Sequence, residues 1–293
     1  MDTQKKPIYK SLLFWEILIL SVVILGLVIS MLVVFNRVFR APAATTQPTT
    51  EATTVPPTTT TAPPETTEPP LPVNPYGPSD FGYSEGYLSC TAGPSVLGID
   101  VSVWQGNIDW EQVKEAGVEF AMIRVGWRGS EQGLIEADEM LDRNYAGASA
   151  AGIKVGAYFF SQAITPEEAL EEAEFLLEHI QGWQVDMPVV FDWEFVADDA
   201  RTATMDAETL TACAKAFCDR VRQAGYRPMI YFNEEQGQWL MHLEELLEYE
   251  FWLAMYTPIM DYPHKINMWQ YSCEGSVAGI DGNVDLNLYF PYD

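Results

Sequence analysis

The chain has 293 residues and a formal net charge of -26, with apolar residues at 48% and aromatics at 13%. That acidity excludes a nucleic-acid partner, whose phosphates need cations to displace their counterions, and it disfavours adsorption onto anionic lipid. The apolar content is ample for a core, and the acidic excess fits a soluble, monomeric folded part.

Residues 1–40 read as a cytoplasmic tip and a transmembrane anchor. Ile17 to Phe35 carries no charge, and as a helix it spans about 28 Å, enough for the hydrocarbon of a bilayer. Lys5, Lys6 and Lys10 precede it, while Arg37 and Arg40 follow, a weak lean towards a cytoplasmic N-terminus. A cleaved signal peptide is the competing reading. It calls for a shorter apolar core and a better small-residue site than Ala41-Pro42-Ala43, so an uncleaved anchor in the lipid bilayer is expected. Residues 41–75 are almost wholly Thr, Pro, Ala and Glu, which cannot bury a core and read as a disordered stalk. At about 3 Å per residue it reaches roughly 80–100 Å. A stalk between a membrane span and a folded domain places that domain outside the cell, giving a single-pass membrane protein with an extracellular domain.

After a lead-in over residues 76–94, the folded domain occupies 95–293. Ala116-Gly117-Val118, Ala151-Gly152-Ile153 and Ala224-Gly225-Tyr226 each close a helical stretch and open a strand, with Gln181-Gly182-Trp183 a weaker copy. Glycine directly after a helix takes the left-handed cap. Helix starts are marked by Asp109 with Gln112 and by Thr165-Pro166-Glu167-Glu168, a capping box with Pro at the first position. Leu210, Cys213, Phe217 and Val221 form one apolar helical stripe. Strands are expected at Val96–Val101, Glu119–Val125, Lys154–Phe160, Pro188–Asp192 and Arg227–Phe232. Three more, Phe251–Tyr256, Asn267–Tyr271 and Val284–Leu288, come without room for full crossover helices between them. The fold class is therefore α/β, an incomplete TIM-like barrel of the form (β/α)5β3.

Of the four cysteines, Cys213 and Cys218 lie on a predicted helix and read as buried free thiols. Cys90 and Cys273 flank the barrel in a compartment where disulfides persist, and are expected to pair. His179, His242 and His264 are isolated, so neither a metal site nor a cofactor is expected.

The site comes from one rule: in such barrels chemistry sits at the C-terminal ends of the strands. Val189-Val190-Phe191 is a buried strand running into Asp192 and Glu194, which share a face about 6.5 Å apart. Two acids emerging there cost desolvation and repulsion. Asp100 ends the first strand and Asp285 belongs to the last, and the two become neighbours when a barrel closes. Trp127, Tyr158, Phe160, Tyr231, Trp252, Tyr256 and Trp269 hold similar positions. Rings that stack on sugars, with a protonated acid among carboxylates, are what a glycan-cleaving groove needs. Each ring taken singly also fits a core position.

Gly98-Ile-Asp-Val-Ser-Val-Trp-Gln-Gly106 resembles the opening motif of glycoside hydrolase family 25, the lysozymes that cut peptidoglycan. Phe120-Ala-Met-Ile-Arg-Val-Gly126, Val155-Gly-Ala-Tyr158, Val190-Phe-Asp-Trp-Glu194, Phe251-Trp-Leu-Ala-Met-Tyr256, Trp269-Gln-Tyr271 and Val284-Asp-Leu-Asn287 come in the family's order. The resemblance implies an N-acetylmuramidase acting on peptidoglycan glycan strands. Glu194 would be the general acid, Asp192 the acid that orients the substrate's N-acetyl group, and Asp100 and Asp285 supporting carboxylates. Tyr158, Phe160, Trp127, Tyr231, Tyr256, Trp269 and Gln270 would contact substrate. Phe159 departs from the histidine common there. Family members are argued to use direct displacement or the substrate's own acetamide as nucleophile. Two alternatives remain: a catalytically silent wall-binding module, and a glycosidase for another N-acetylated glycan such as chitin.

Overall fold

The computed structural model describes residues 70–291; the anchor and most of the stalk inferred above lie outside the described residues. Among the described residues no helix is long and apolar enough to cross a membrane. Strands run β1 (Phe81–Ser84), β2 (Tyr87–Cys90), β3 (Val96–Val101), β4 (Phe120–Arg128), β5 (Ile135–Ala137), β6 (Lys154–Ser161), β7 (Val189–Trp193), β8 (Pro228–Asn233), β9 (Glu250–Ala254), β10 (Met268–Gly275) and β11 (Val284–Tyr289). The helices are α1 (Trp110–Glu115), α2 (Leu141–Ala150), α3 (Pro166–His179), α4 (Ala207–Gln223) and α5 (Glu234–Trp239).

Eight strands close a barrel in the order β3-β11-β10-β9-β8-β7-β6-β4, with β4 pairing back onto β3. Helices follow β3, β4, β6, β7 and β8, and none stands between β9, β10 and β11, as the shorter spacings there require. The link from β10 to β11 is too short for a crossover, so β11 runs antiparallel to both neighbours. The expected helix punctuation is present. Asp109 caps α1 by accepting from the Gln112 N–H at 3.2 Å, and Thr165 caps α3 through Glu168 N–H at 3.3 Å. Gly117, Gly152, Gly182 and Gly225 all have positive φ, from 68° to 92°, the conformation a side chain resists.

Side-chain parity divides the core in two. Phe120, Met122, Tyr158, Val190, Met229, Tyr231, Trp252 and Met268 fill the barrel. Val189, Phe191, Trp193, Ile230, Phe232 and Trp269 point outward to the surrounding layer. Gly98 lets the Phe120 ring lie against the backbone of β3, where any Cβ would overlap it. In α4, Leu210, Cys213, Phe217, Cys218 and Val221 are all buried.

Four features depart from the sequence reading. The lead-in forms a hairpin, β1–β2, whose Phe81 ring packs edge-on against Trp269 at 5.2 Å. Its two-residue turn has positive φ at Glu85 and Gly86, which matches the twist of paired strands. β5 adds a short antiparallel strand to β4 outside the barrel. The end of the segment read as a stalk is held to the fold: Lys265 N–H donates to Pro72 O at 2.8 Å and Asn74 N–H to Pro263 O at 2.9 Å. Finally, all four cysteines are free, including Cys90 and Cys273. Cys90 belongs to the hairpin, beside Tyr76, while Cys273 sits on the bulged part of β10 near Asp285; the two thiols face different neighbours.

Candidate active site

Strand alternation sends Asp192 and Glu194 inward at the top of β7, while Trp193 between them packs outward at 0% exposure. Asp100 reaches the same rim from β3, directly opposite Asp285 in the antiparallel register of β11. Asp285 lies at the start of its strand, not its end. It joins the mouth because β11 is reversed. The four carboxylates line one cavity of about 230 Å³, together with Arg124, Tyr158, Phe160, Tyr231, Trp252, Tyr256 and Gln270.

A relay of amides and hydroxyls fixes the floor. Gln270 Nε2 and Asn287 Nδ2 each donate to Asp100 Oδ2 at 2.8 Å. The Gln270 carbonyl oxygen accepts from Tyr231 at 2.9 Å and from Tyr256 at 3.1 Å. Trp252 Nε1–H donates to Asn287 Oδ1 at 2.9 Å. Asp100 is thus held in one orientation by groups that are themselves held. Asp192 differs: its Oδ1 is buried and has no hydrogen-bond partner in the protein. A carboxylate oxygen left bare in a cleft costs free energy unless a ligand supplies the donor.

Glu194 is placed through its backbone. Gln236 Nε2 donates to the Trp193 carbonyl at 3.1 Å and Gln162 Nε2 to the Glu194 carbonyl at 2.8 Å. Both glutamines are buried, and Thr202 donates its hydroxyl to Gln162 Oε1 at 2.9 Å. Two consecutive carbonyls at the end of β7 are thereby satisfied.

Electrostatics separate the acids from ordinary carboxyls. Burial, then the neighbouring Asp285, holds Asp100 well above the usual range, against the pull of its two amide donors. Burial, then Glu194, does the same to Asp192, with Arg124 opposing. Glu194 is raised by burial and by Asp285, and burial pushes Asp285 up to about 6. Asp100 and Asp192 are buried, whereas Glu194 and Asp285 remain half-buried. A carboxyl whose hold on its proton is strengthened in this way and that still reaches the opening can act as a proton donor.

Not every expected contact reaches the cleft. Trp269 is fully buried outside the barrel, its Nε1–H donating to Met255 O at 2.8 Å. Adjacent residues of a strand face opposite sides, so with Gln270 inward Trp269 cannot be. Trp127 comes after a register shift in β4 and lies beneath the Arg124 guanidinium, 5.1 Å from the ring centre, outside the cavity lining. Phe159, the departure from the family pattern, packs outward against Phe175 at 5.9 Å. The sequence reading missed Arg124 as a cation lining this cleft. Arg124 Nε donates to Asp138 Oδ2 at 2.9 Å. It also missed Trp104, which stands 81% exposed at the cleft edge. An arginine two residues beyond Met122 on an inward-facing parity was the available signal.

The family model for glycosyl hydrolases family 25 matches residues 99–280. Lysozyme M1 of Streptomyces globisporus is 30% identical over 217 residues, covering 68% of this chain and 70% of its own. The structure of the bacterial lysozyme from Streptomyces coelicolor superposes with a TM-score of 0.55 at 29% identity, over 68% of this chain and 93% of that one. The modular autolysin LytC from Streptococcus pneumoniae, solved with a synthetic peptidoglycan ligand, shares the fold at a TM-score of 0.61 and 24% identity. The match covers 72% of this chain and spans half of LytC.

Proposed function

The chain belongs to family 25 of the glycosyl hydrolases, and from that premise we propose that it hydrolyses the β-1,4 bond between N-acetylmuramic acid and N-acetylglucosamine in peptidoglycan. The observation that carries the reading is the pairing of a half-buried Glu194, whose carboxyl is raised by burial and by Asp285, with Asp192, whose buried oxygen lacks any protein donor.

Glu194 gives its proton to the glycosidic oxygen as the bond to C1 breaks. The acetamide oxygen of the same sugar attacks C1 and forms a cyclic oxazolinium, while Asp192 accepts the acetamide N–H and supports the developing positive charge. Glu194, now ionised, takes a proton from the water that opens the ring at C1. Asp285, ionised above about pH 6, keeps the mouth negative and so favours the cationic transition state, and Asp100 forms the hydrogen-bonded floor beneath it. Tyr231 and Tyr256 are tied to the Asp100 relay through Gln270, and they shape the sugar-binding wall with Phe160 and Trp104.

Residues 1–40 tether the enzyme to the membrane and residues 41–69 carry it outward; the charge-free run and the Thr/Pro composition support this. The enzyme works as a monomer, with the glycan strand as its partner.

The test is release of reducing ends from purified peptidoglycan and from chitin, followed by borohydride reduction. Reduced muramic acid from peptidoglycan is expected. Reduced glucosamine from peptidoglycan would move the cut to the other β-1,4 bond of the strand, and cleavage of chitin instead would replace the reading with another N-acetylated glycan. Binding without release would make the chain a wall-binding module.

A further inference from the structure

Along the same rim lies a second cavity of about 450 Å³, walled by the loop after β7 and by α5. Its lining includes Trp193, Phe195, Thr202, Gln236 and Trp239. Glu194 lines the catalytic cleft and the next residue, Phe195, lines this cavity. The two openings are therefore neighbours along one stretch of backbone.

Its surface chemistry is selective. Phe195 is 49% and Trp239 67% exposed, large rings left in water where packing would otherwise be expected to cover them. Exposed rings also stand at the ends of β3 and β9, as Trp104 and Tyr256. Of the strongly exposed rings, these four lie at or after the strand ends around the acids, and Tyr83 stands apart on the hairpin. Asp198 and Glu235 are the ionisable lining groups, which disfavours an anionic occupant. Aromatic faces and a lining without cations suit a neutral pyranose.

We propose that this cavity is a sugar subsite for the strand being cut, holding an N-acetylated pyranose away from the scissile bond. The inference rests on the glycosidase reading above. It also gives remote binding a route to the chemistry. Gln236 donates to the Trp193 carbonyl, and Thr202 supports the Gln162 amide that holds the Glu194 carbonyl. A sugar seated here presses on the residues that position the acid, so its binding is felt in kcat as well as KM.

The experiment uses the full chain on peptide-free glycan fragments, comparing tetrasaccharides with long strands. Wild type is expected to show a higher kcat/KM on long strands. Trp239→Ala should reduce the ratio of long-strand to tetrasaccharide efficiency about tenfold, with Phe195→Ala acting in the same direction and Trp239→Phe retaining most of the ratio. Both wild-type residues are exposed, so loss of fold does not confuse the result. An unchanged ratio in Trp239→Ala overturns the subsite. A ratio that falls only when the strands carry their stem peptides assigns the cavity to peptide and overturns the sugar. No cleavage of any fragment by wild type would instead reject the glycosidase reading itself.

Discussion

Asp285 pairs with Asp100 across the seam that closes the barrel, two carboxylates directly opposite in an antiparallel ladder. Like charges so placed repel, and the structure keeps them together by burying Asp100 under two amide donors and leaving Asp285 half open. Burial pushes Asp285 up to about 6, so it is ionised above that pH. Its charge then raises Glu194. Asp285→Asn removes the charge, lowers the Glu194 pKa and moves the alkaline limb of the kcat/KM profile to lower pH. A limb that stays put, or shifts upward, would remove Asp285 from control of the acid.

Glu194→Gln keeps the shape of the side chain and the backbone bond from Gln162, but has no proton to transfer. Turnover should fall by roughly 10²–10⁴ with thermal stability retained. Near-native activity in this folded variant would show that another group protonates the leaving oxygen.

Gln162 is a positioning residue. Besides the Glu194 carbonyl it donates to the Ser161 carbonyl at 2.8 Å, and it accepts from Thr202. Gln162→Leu strands these groups in a buried setting, at about 1–3 kcal/mol for each left unpaired. Denaturant unfolding should record the loss. In the fraction that folds, kcat should fall more than KM rises, because the acid moves while the sugar-binding wall remains. Equal changes in stability and activity for Gln162→Leu and a Gln162→Glu control would contradict a positioning role.

Much of this architecture was legible in the sequence because it rests on local physics. The glycines after helices need positive φ, and the apolar runs of β3, β7 and β8 need burial; both signals are written in single residues. The approach of Asp100 to Asp285 came from closure alone. What failed depended on strand parity and direction. Trp269 and Gln270 both looked like cleft residues, yet only the parity set by Met268 inside the barrel decides between them. Asp285 was gathered by a rule about strand ends that β11, running backwards, does not obey. The β1–β2 hairpin carried a Glu85-Gly86 turn in a stretch read only as lead-in, and it is this hairpin that buries Trp269.

Stability should decline from mildly acidic to alkaline pH. Glu172 is raised by burial to about 7 despite Arg128 Nε at 2.7 Å, and Asp285 to about 6. A raised folded-state pKa means the favourable contribution is complete below the unfolded value, near 4.5 for Glu172 and 3.8 for Asp285, and is lost as pH climbs through the folded value. The acids held low by arginines, such as Glu168 and Glu174, act oppositely and only at lower pH, where protonation removes their pairing. The melting temperature should therefore be higher near pH 5 than near pH 8. A midpoint that rises over this interval would mean that Glu172 and Asp285 do not govern it.

The proposed tether and the catalytic relay should be separable at a defined point in the chain. Pro72 and Asn74 are bonded to the backbone at Lys265 and Pro263, so a cut that spares the fold must fall before residue 70. Removing residues 1–69 should leave activity on soluble wall fragments close to that of the full chain, since every group of the catalytic relay lies beyond that point. Removing residues 1–75 takes away this backbone pairing as well and should lower the melting temperature. In cells, the shorter deletion fused to a cleavable export signal should release the activity into the medium, whereas the full chain should sediment with membranes if the proposed tether is right. Full-length activity recovered in the medium with a new N-terminus near Ala43 would mean that residues 1–40 act as a signal peptide, and the tether would be wrong.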